Sequence, residues 1–275
     1  MDDKTGLDSG AIRAVIFDWA GTTVDFGSLA PTSALVEVFH RAGVPITAAE
    51  ARGAMGRNKR DHLRDLLNDP GIHTRWTLAR NADPAESDVD DLYRAFLPLQ
   101  EESIAKHATP IPGVIEAVAI LRERGIFIGS NSGYNRHLMS LLLPAAGALG
   151  YAPDVVVTSD DNENGRPSPD MALAVAAKLG VFNPTLCVKV DDTPAGISEG
   201  LNAGMWTVGV AVTGNANGRS LESWMQLSDE QRAEVRRGAH AELTEAGAHV
   251  VVDTAASIVE VVDQFNQGLR SGLLP

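Results

Sequence analysis

Ala14-Val15-Ile16-Phe17-Asp18-Trp19-Ala20-Gly21-Thr22-Thr23-Val24-Asp25 is the stretch on which the fold turns. Its four leading apolar residues are too few for a helix and are closed by a polar turn, so they read as a short strand buried on both faces. Asp18 then stands at the strand's C-terminal end, and the Gly-Thr-Thr turn behind it aims N–H groups at whatever anion approaches. A carboxylate so placed is a candidate nucleophile or metal ligand.

Similar apolar runs recur at Ile126 to Ser130, Val155 to Thr158, Leu186 to Val190, Trp206 to Val212 and His249 to Val252. Between them, Val114 to Arg124, Asn135 to Leu149, Pro169 to Leu179 and Pro194 to Ala203 carry helical patterns. Such alternation predicts an α/β fold, a doubly wound parallel sheet of Rossmann-like kind with its site at the strands' C-terminal ends. From about Phe26 to His107 the rhythm stops and only helical patterns remain. Thr47-Ala48-Ala49-Glu50 reads as a capping box, Asn58 as the N-cap of a helix through Leu67, and Ile72 to Arg80 as a third helix. A long helix N-capped by Ser87 is expected to carry Val89, Leu92, Phe96, Leu97 and Leu99. The expected division is a flexible tail over 1–10, a core over 11–27 and 108–275, and an inserted all-helical cap over 28–107. Gly- and Pro-bearing tethers near Phe26 to Pro31 and Thr109 to Gly113 suit hinges.

A chain of 275 residues is long enough for a core domain with a smaller one attached. Its net charge of −13 argues against nucleic acid or an anionic membrane as partner, so an anionic substrate needs a local positive site. The single cysteine, Cys187, can form no intramolecular disulfide, which suits a reducing cytoplasm. No apolar stretch approaches the roughly 18 to 20 residues that span a bilayer. Met1 to Gly10 is polar and acidic, without the apolar region of a signal peptide.

Three constellations carry chemistry. The first joins Asp18 to Asp191-Asp192-Thr193, which follows the run ending at Val190. In a parallel sheet both segments emerge on one edge, so three carboxylates can meet there and, with a backbone carbonyl, form a hard oxygen site suited to Mg²⁺. The competing reading is that Asp191 and Asp192 only cap the helix near Pro194. The second is Ile128-Gly129-Ser130-Asn131-Ser132-Gly133-Tyr134, where the Ser132 hydroxyl and the N–H groups from Gly133 onward can hold a phosphate oxygen. The third, Gly165-Arg166-Pro167-Ser168-Pro169, projects one cation from a stiff turn.

In this order the segments resemble the four motifs of the haloacid dehalogenase superfamily, and the insertion is similar to that superfamily's first type of helical cap. The resemblance implies that Asp18 attacks phosphorus to form an aspartyl-phosphate and that Ser132 and Arg166 hold the phosphoryl oxygens. It also implies that Mg²⁺ is bound by Asp18, the carbonyl of Ala20 and Asp192. Many phosphoryl-transfer enzymes with this turn carry an acid two residues after the first, to protonate the leaving group. Here that position is Ala20.

Within the expected cap, Met55-Gly56-Arg57-Asn58-Lys59-Arg60-Asp61-His62 places Lys59 at a helix start. The helix N-terminus with Arg57 and Arg60 disfavours a further positive charge, which would make a neutral, nucleophilic amine accessible. The competing reading is a solvated basic face of Lys59, Arg60 and Arg64. A protonated imine between Lys59 and an aldehyde would be an electron sink for a carbanion leaving group, a service that no acid at position 20 could perform. The chain is similar to the phosphonoacetaldehyde hydrolases (phosphonatases) through Phe17 to Gly27, Met55-Gly56, Lys59, Asp61-His62, Gly133-Tyr134, Gly165-Arg166-Pro167 and Glu199 to Gly209. That resemblance implies hydrolysis of the carbon–phosphorus bond of phosphonoacetaldehyde to acetaldehyde and phosphate, in 2-aminoethylphosphonate degradation, through a Lys59 Schiff base. It implies further that His62 and Met55 neighbour the imine and that the protein is a homodimer. Many relatives have glycine before the last metal-binding aspartate and an acid four residues after it, where this chain has Asp191 and Gly196; Asp191 is expected to restore that charge. The alternatives are a capped Mg-dependent phosphatase or phosphomutase acting on a small phosphate ester and, more remotely, a non-catalytic receiver-like phosphate-binding module.

Overall fold

The computed structural model describes residues 10–275, and the tail expected over 1–10 lies, but for Gly10, outside them. From the chain start, β1 (Ala14–Phe17) is followed by α1 (Leu29–Arg41), α2 (Ala48–Arg52), α3 (Lys59–Asn68), α4 (Pro70–Arg80) and α5 (Glu86–Lys106). Then α6 (Val114–Glu123), β2 (Phe127–Asn131), α7 (Arg136–Ala148), β3 (Val155–Val157), α8 (Asp170–Lys178), β4 (Cys187–Asp191) and α9 (Pro194–Asn202) alternate. The chain closes with β5 (Trp206–Val210), α10 (Leu221–Met225), α11 (Asp229–Glu245), β6 (Val250–Val252) and α12 (Ile258–Arg270). Among the described residues the strands form one parallel sheet in the order β3-β2-β1-β4-β5-β6.

Strand β1 shows why an unbroken apolar run was the signal. Val15 and Phe17 face a core shared with Leu121, Leu138, Leu142, Val262 and Phe265 of the helices on one side. Ala14 and Ile16 face Met171, Ala172 and Val175 of α8 on the other. With helices on both faces, alternate side chains find apolar partners either way, so no polar alternation is needed. The register sets Phe17 opposite both Ser130 and Val190. Asp18 therefore leaves the sheet beside the segments that follow β2 and β4, where the strand order reverses and sites form.

The helices α1, α3, α4 and α5 have a core of their own, built on Leu35, Phe39, Leu63, Leu67, Ile72, Trp76, Leu92 and Phe96. Their boundaries depart from expectation in two places. Helix α5 begins at Glu86, and the reciprocal bond is from the Ala85 N–H to Asp88 Oδ2 at 2.8 Å, so Ser87 sits inside the first turn and is not the N-cap. Helix α1 takes up half of the expected first tether: Pro31 lies in its first turn, where a missing N–H costs nothing, and the Asp25 carboxylate accepts from the N–H groups of Leu29 and Ala30 at 3.0 and 2.9 Å.

The tether that remains is a compact reversal. Asp25, Gly27 and Ser28 all have positive φ, at 56°, 88° and 51°. A Cβ at Gly27 would lie 2.1 Å from the backbone oxygen of Arg219, so neither the conformation nor the space admits a side chain. We expect Gly27→Ala to lower unfolding stability by about 2 kcal/mol or more. Chemical denaturation checks this, and an unchanged midpoint would contradict the close approach.

Candidate active site

The turn after β1 is held by its own backbone. The N–H groups of Thr22, Thr23 and Val24 converge on the carbonyl of Trp19 at 3.1, 2.8 and 3.1 Å, and the Thr23 hydroxyl bonds the carbonyl of Asp18 at 3.0 Å. Gly21 has φ +86°, and a Cβ there would fall 2.2 Å from Asp192 Oδ2. That absence of a side chain lets the two segments meet. Asp192 is fixed by the Thr22 hydroxyl, which donates to Oδ1 at 3.2 Å, and by the N–H of Asn215, which donates to Oδ2 at 2.7 Å.

Asp18, Asp191 and Asp192 are all buried and offer one carboxylate oxygen each within 4.8 Å of one another. Burial, helped by the charge of Asp191, raises Asp18 to about 6, against the opposing pull of Arg166 and Lys189. Asp192 is held well above the usual carboxylate range by burial and by the charges of Asp18 and Asp191. Asp191 differs: Arg166 and Lys189 keep it below its ordinary value in spite of burial. Asp192 has no cationic partner among the described residues and crowds its carboxylate against that of Asp18; such oxygens are the donors of a hard divalent ion, so the residues present fit such a metal. The helix-cap reading of these aspartates does not hold, because α9 is N-capped by Thr193, whose hydroxyl accepts from the N–H of Gly196 at 3.1 Å.

Arg166 lies across the cavity with Nη1 2.8 Å from Asp18 Oδ1. Ser132 and Gly133 complete that wall, and the Ser132 hydroxyl accepts the Tyr134 N–H at 3.1 Å. The third wall comes from the helical insertion. Asn58 caps α3 by accepting the Asp61 N–H at 2.9 Å, and Lys59, the first residue of that helix, is only 6% exposed. Its Nζ lies 3.5 Å from Met55 Sδ and 5.8 Å from the centre of the Tyr134 ring. Lys59, Met55, Ala20, Ser132, Gly133, Arg166, Asp18 and Asp192 thus line one cavity.

Lys59 is pulled down to about 8, first by burial and then by Arg166, while Asp18 and Asp192 act to raise it. The direction is the expected one, but the agents differ. Arg57 pairs with Asp65, and Arg60 turns to Asp90 and Glu86 at 2.8 and 3.0 Å on the outer flank. Arg64 also turns outward, to Asp61 and Glu86, so only Lys59 of the expected basic face is drawn inside. His62 does not line the cavity. It is fully buried, its Nε2 lies 2.9 Å from the carbonyl of Ala51, and its Nδ1 has no hydrogen-bond partner among the described residues. Burial and the nearby Lys59 charge hold His62 well below its ordinary value, so the ring is neutral.

Arg52 ties the insertion to the sheet domain. Its guanidinium donates to the carbonyls of Gly27, Asn215 and Gly218 at 3.0, 3.2 and 3.1 Å, on the loop whose Asn215 N–H orients Asp192. Sequence reasoning missed Asn215 and Thr22, which only folding brings to Asp192. It also missed Asn131, Lys189 and Glu199 behind Arg166, although a lysine inside the apolar run Leu186 to Val190 was a visible signal.

Comparison with known proteins follows the same lines. Residues 12–204 match the family described as haloacid dehalogenase-like hydrolase. The chain is 45% identical over 263 residues to a phosphonoacetaldehyde hydrolase of Hahella chejuensis, covering 96% of this chain and 90% of that protein. It is 48% identical over 266 residues to one of Salmonella paratyphi C, covering 96% and 98%. The crystal structure of a phosphonoacetaldehyde hydrolase-like protein from Oleispira antarctica superposes with a TM-score of 0.95 at 42% identity, covering all of both chains. A β-phosphoglucomutase of Clostridium difficile, at 18% identity and a TM-score of 0.67 over 94% of this chain and 99% of its own, shares the fold alone.

In metal-free protein, Lys59 is expected to release its proton at about 8, because burial penalises the ammonium and leaves the amine unaffected. Asp18→Asn removes the first of the two charges that favour the ammonium and should push the value lower still. Acetylation with a small anhydride across pH, read peptide by peptide, checks both; a Lys59 midpoint near 10 would contradict the geometry.

Proposed function

The chain belongs to the haloacid dehalogenase-like hydrolases and, within them, to the phosphonoacetaldehyde hydrolases, and from that premise we propose that it hydrolyses phosphonoacetaldehyde to acetaldehyde and phosphate. The observation that carries this reading is Lys59, a buried amine set in one cavity with Asp18 and Arg166. Ester hydrolysis needs no neutral amine, whereas a carbon leaving group needs an electron sink. Ala20, standing where an acid would protonate an alkoxide, agrees with a leaving group that departs through carbon.

The lowered affinity of Lys59 for protons leaves a useful fraction of neutral amine near pH 8. That amine adds to the aldehyde carbon, and the carbinolamine, taking up one proton from solvent, loses water to give a protonated imine. Arg166, the Ser132 hydroxyl and the Gly133 N–H hold the phosphoryl oxygens, with Arg166 also fixing Asp18 for attack. Asp18 attacks phosphorus opposite the carbon; the phosphorus–carbon electron pair passes into the imine, and the enamine departs. Asp18, the carbonyl of Ala20 and Asp192 would hold Mg²⁺, which when bound neutralises charge on the phosphoryl oxygens. Water then cleaves the aspartyl-phosphate to free phosphate and Asp18. The enamine takes a proton at carbon, and hydrolysis of the imine releases acetaldehyde and restores Lys59. Met55 keeps its sulfur against the amine, and neutral His62 supports the helix turn behind it without adding a charge. We place this chemistry in 2-aminoethylphosphonate degradation, in the cytoplasm and in a homodimer; the buried free thiol of Cys187 suits that compartment.

With Mg²⁺ and phosphonoacetaldehyde, acetaldehyde and phosphate should appear in equal amounts. Lys59→Arg keeps the charge but cannot form the imine, and should lower turnover by about a thousandfold or more. Rapid hydrolysis of small phosphate esters without acetaldehyde formation would instead make the protein a phosphatase.

A further inference from the structure

Lys189 is wholly buried in the middle of β4, a position where an ammonium is costly unless fully paired. Its Nζ lies 2.6 Å from Asn131 Oδ1, 3.0 Å from Asp191 Oδ2 and 3.2 Å from Glu199 Oε2. Glu199, equally buried on α9, accepts Arg166 Nε at 2.9 Å through Oε2 and Asn131 Nδ2 at 2.8 Å through Oε1. Asn131 Oδ1 in turn accepts Arg166 Nη2 at 2.6 Å. Asp191 completes the ring: Oδ2 stands 3.3 Å from Arg166 Nη1, while Oδ1 takes the N–H and hydroxyl of Thr193 at 3.0 and 2.7 Å.

Two cations and two carboxylates therefore close on themselves with no net charge, and every side of the Arg166 guanidinium except that toward Asp18 and the cavity is tied down. Helix α9 is shaped to admit this ring. A Cβ at Gly196 would lie 1.9 Å from Asp191 Cγ, and one at Gly200 would lie 2.8 Å from Lys189 Cβ. Residue 196 can carry no side chain because the Asp191 carboxylate already fills that space.

We propose that Lys189, Glu199 and Asp191 are positioning residues that aim Arg166 at the phosphoryl group, and that Asp191 belongs to this ring and is not a ligand of the divalent metal. Asp18 and Asp192 then serve the metal without it. The proposal rests on the reading of Arg166 as a phosphoryl holder given above. It is tested by binding as well as by turnover, so the two can fail separately: absence of acetaldehyde production by the unaltered protein would remove the substrate assignment and leave the binding measurements standing.

The probes are Mn²⁺, followed by its paramagnetic resonance, and inorganic phosphate, followed by calorimetry in the presence of Mn²⁺. Asp192→Asn should weaken Mn²⁺ binding by about tenfold or more, whereas Asp191→Asn should leave it within about twofold and weaken phosphate by about tenfold. Lys189→Met and Glu199→Gln should each weaken phosphate to a similar degree. The double variant, which restores neutrality, should lose less than the two single losses combined. Glu199→Gln keeps shape and carries the positioning test if Lys189→Met does not fold. Equal loss of Mn²⁺ affinity in Asp191→Asn and Asp192→Asn would overturn the assignment of Asp191. Unchanged phosphate affinity in folded Glu199→Gln would overturn the positioning role.

Discussion

Everything at this sheet edge depends on burying charge without leaving it unbalanced. Asp18, Asp191, Asp192 and Glu199 are withdrawn from water together with Lys59, Arg166 and Lys189. Isolated, any one of these would cost several kcal/mol or would neutralise itself. Arg166 is the junction, since among the described residues it alone pairs with all of Asp18, Asp191 and Glu199. With Lys59 as neutral amine and the Arg166–Asp191–Lys189–Glu199 ring at zero, Asp18 and Asp192 remain as two negative charges, the complement of one divalent cation. The same account explains why Asp192 resists ionisation while Asp191 does not.

The parallel sheet supplies the place and the helical insertion supplies the dryness. Pairing of β1 with both β2 and β4 puts the three site-bearing segments on adjacent strand ends. Met55 to Lys59 then closes over them, with Arg166 Nη1 3.4 Å from the carbonyl of Gly56 and Arg52 gripping the loop beyond β5. An amine at the start of α3 would be an ordinary ammonium if that closure were lost, because burial is the largest cause of its shift. The imine chemistry proposed above depends on that closure.

Much of this was legible along the chain because its signals are local. An unbroken apolar run before Asp18 gave the central strand, the alternation gave the parallel sheet, and the loss of that alternation marked the helical insertion. Turn chemistry pointed to Ser132 and Arg166, which the fold brings into one cavity with Asp18, and the expected lowering of Lys59 agrees in direction with its burial. What failed were local shortcuts for non-local effects: Arg57 and Arg60 neighbour Lys59 in sequence yet spend their charges on Asp65, Asp90 and Glu86. The ring of Lys189, Glu199 and Asn131 joins three elements, and Asn215 reaches Asp192 from a loop beyond β5. No spacing rule connects them. The exchange of side chains between positions 191 and 196 could be seen in the sequence, but its reason is the collision that a Cβ at Gly196 would make.

The central claim is that one buried lysine joins the substrate covalently beside the attacking aspartate. Borohydride added during turnover of phosphonoacetaldehyde, followed by peptide mass analysis, tests it most directly. The account predicts a reduced two-carbon adduct on the peptide bearing Lys59, dependent on substrate, with none on the exposed Lys106 or Lys178. Turnover that continues in borohydride with Lys59 unmodified, or an adduct confined to another lysine, would contradict it.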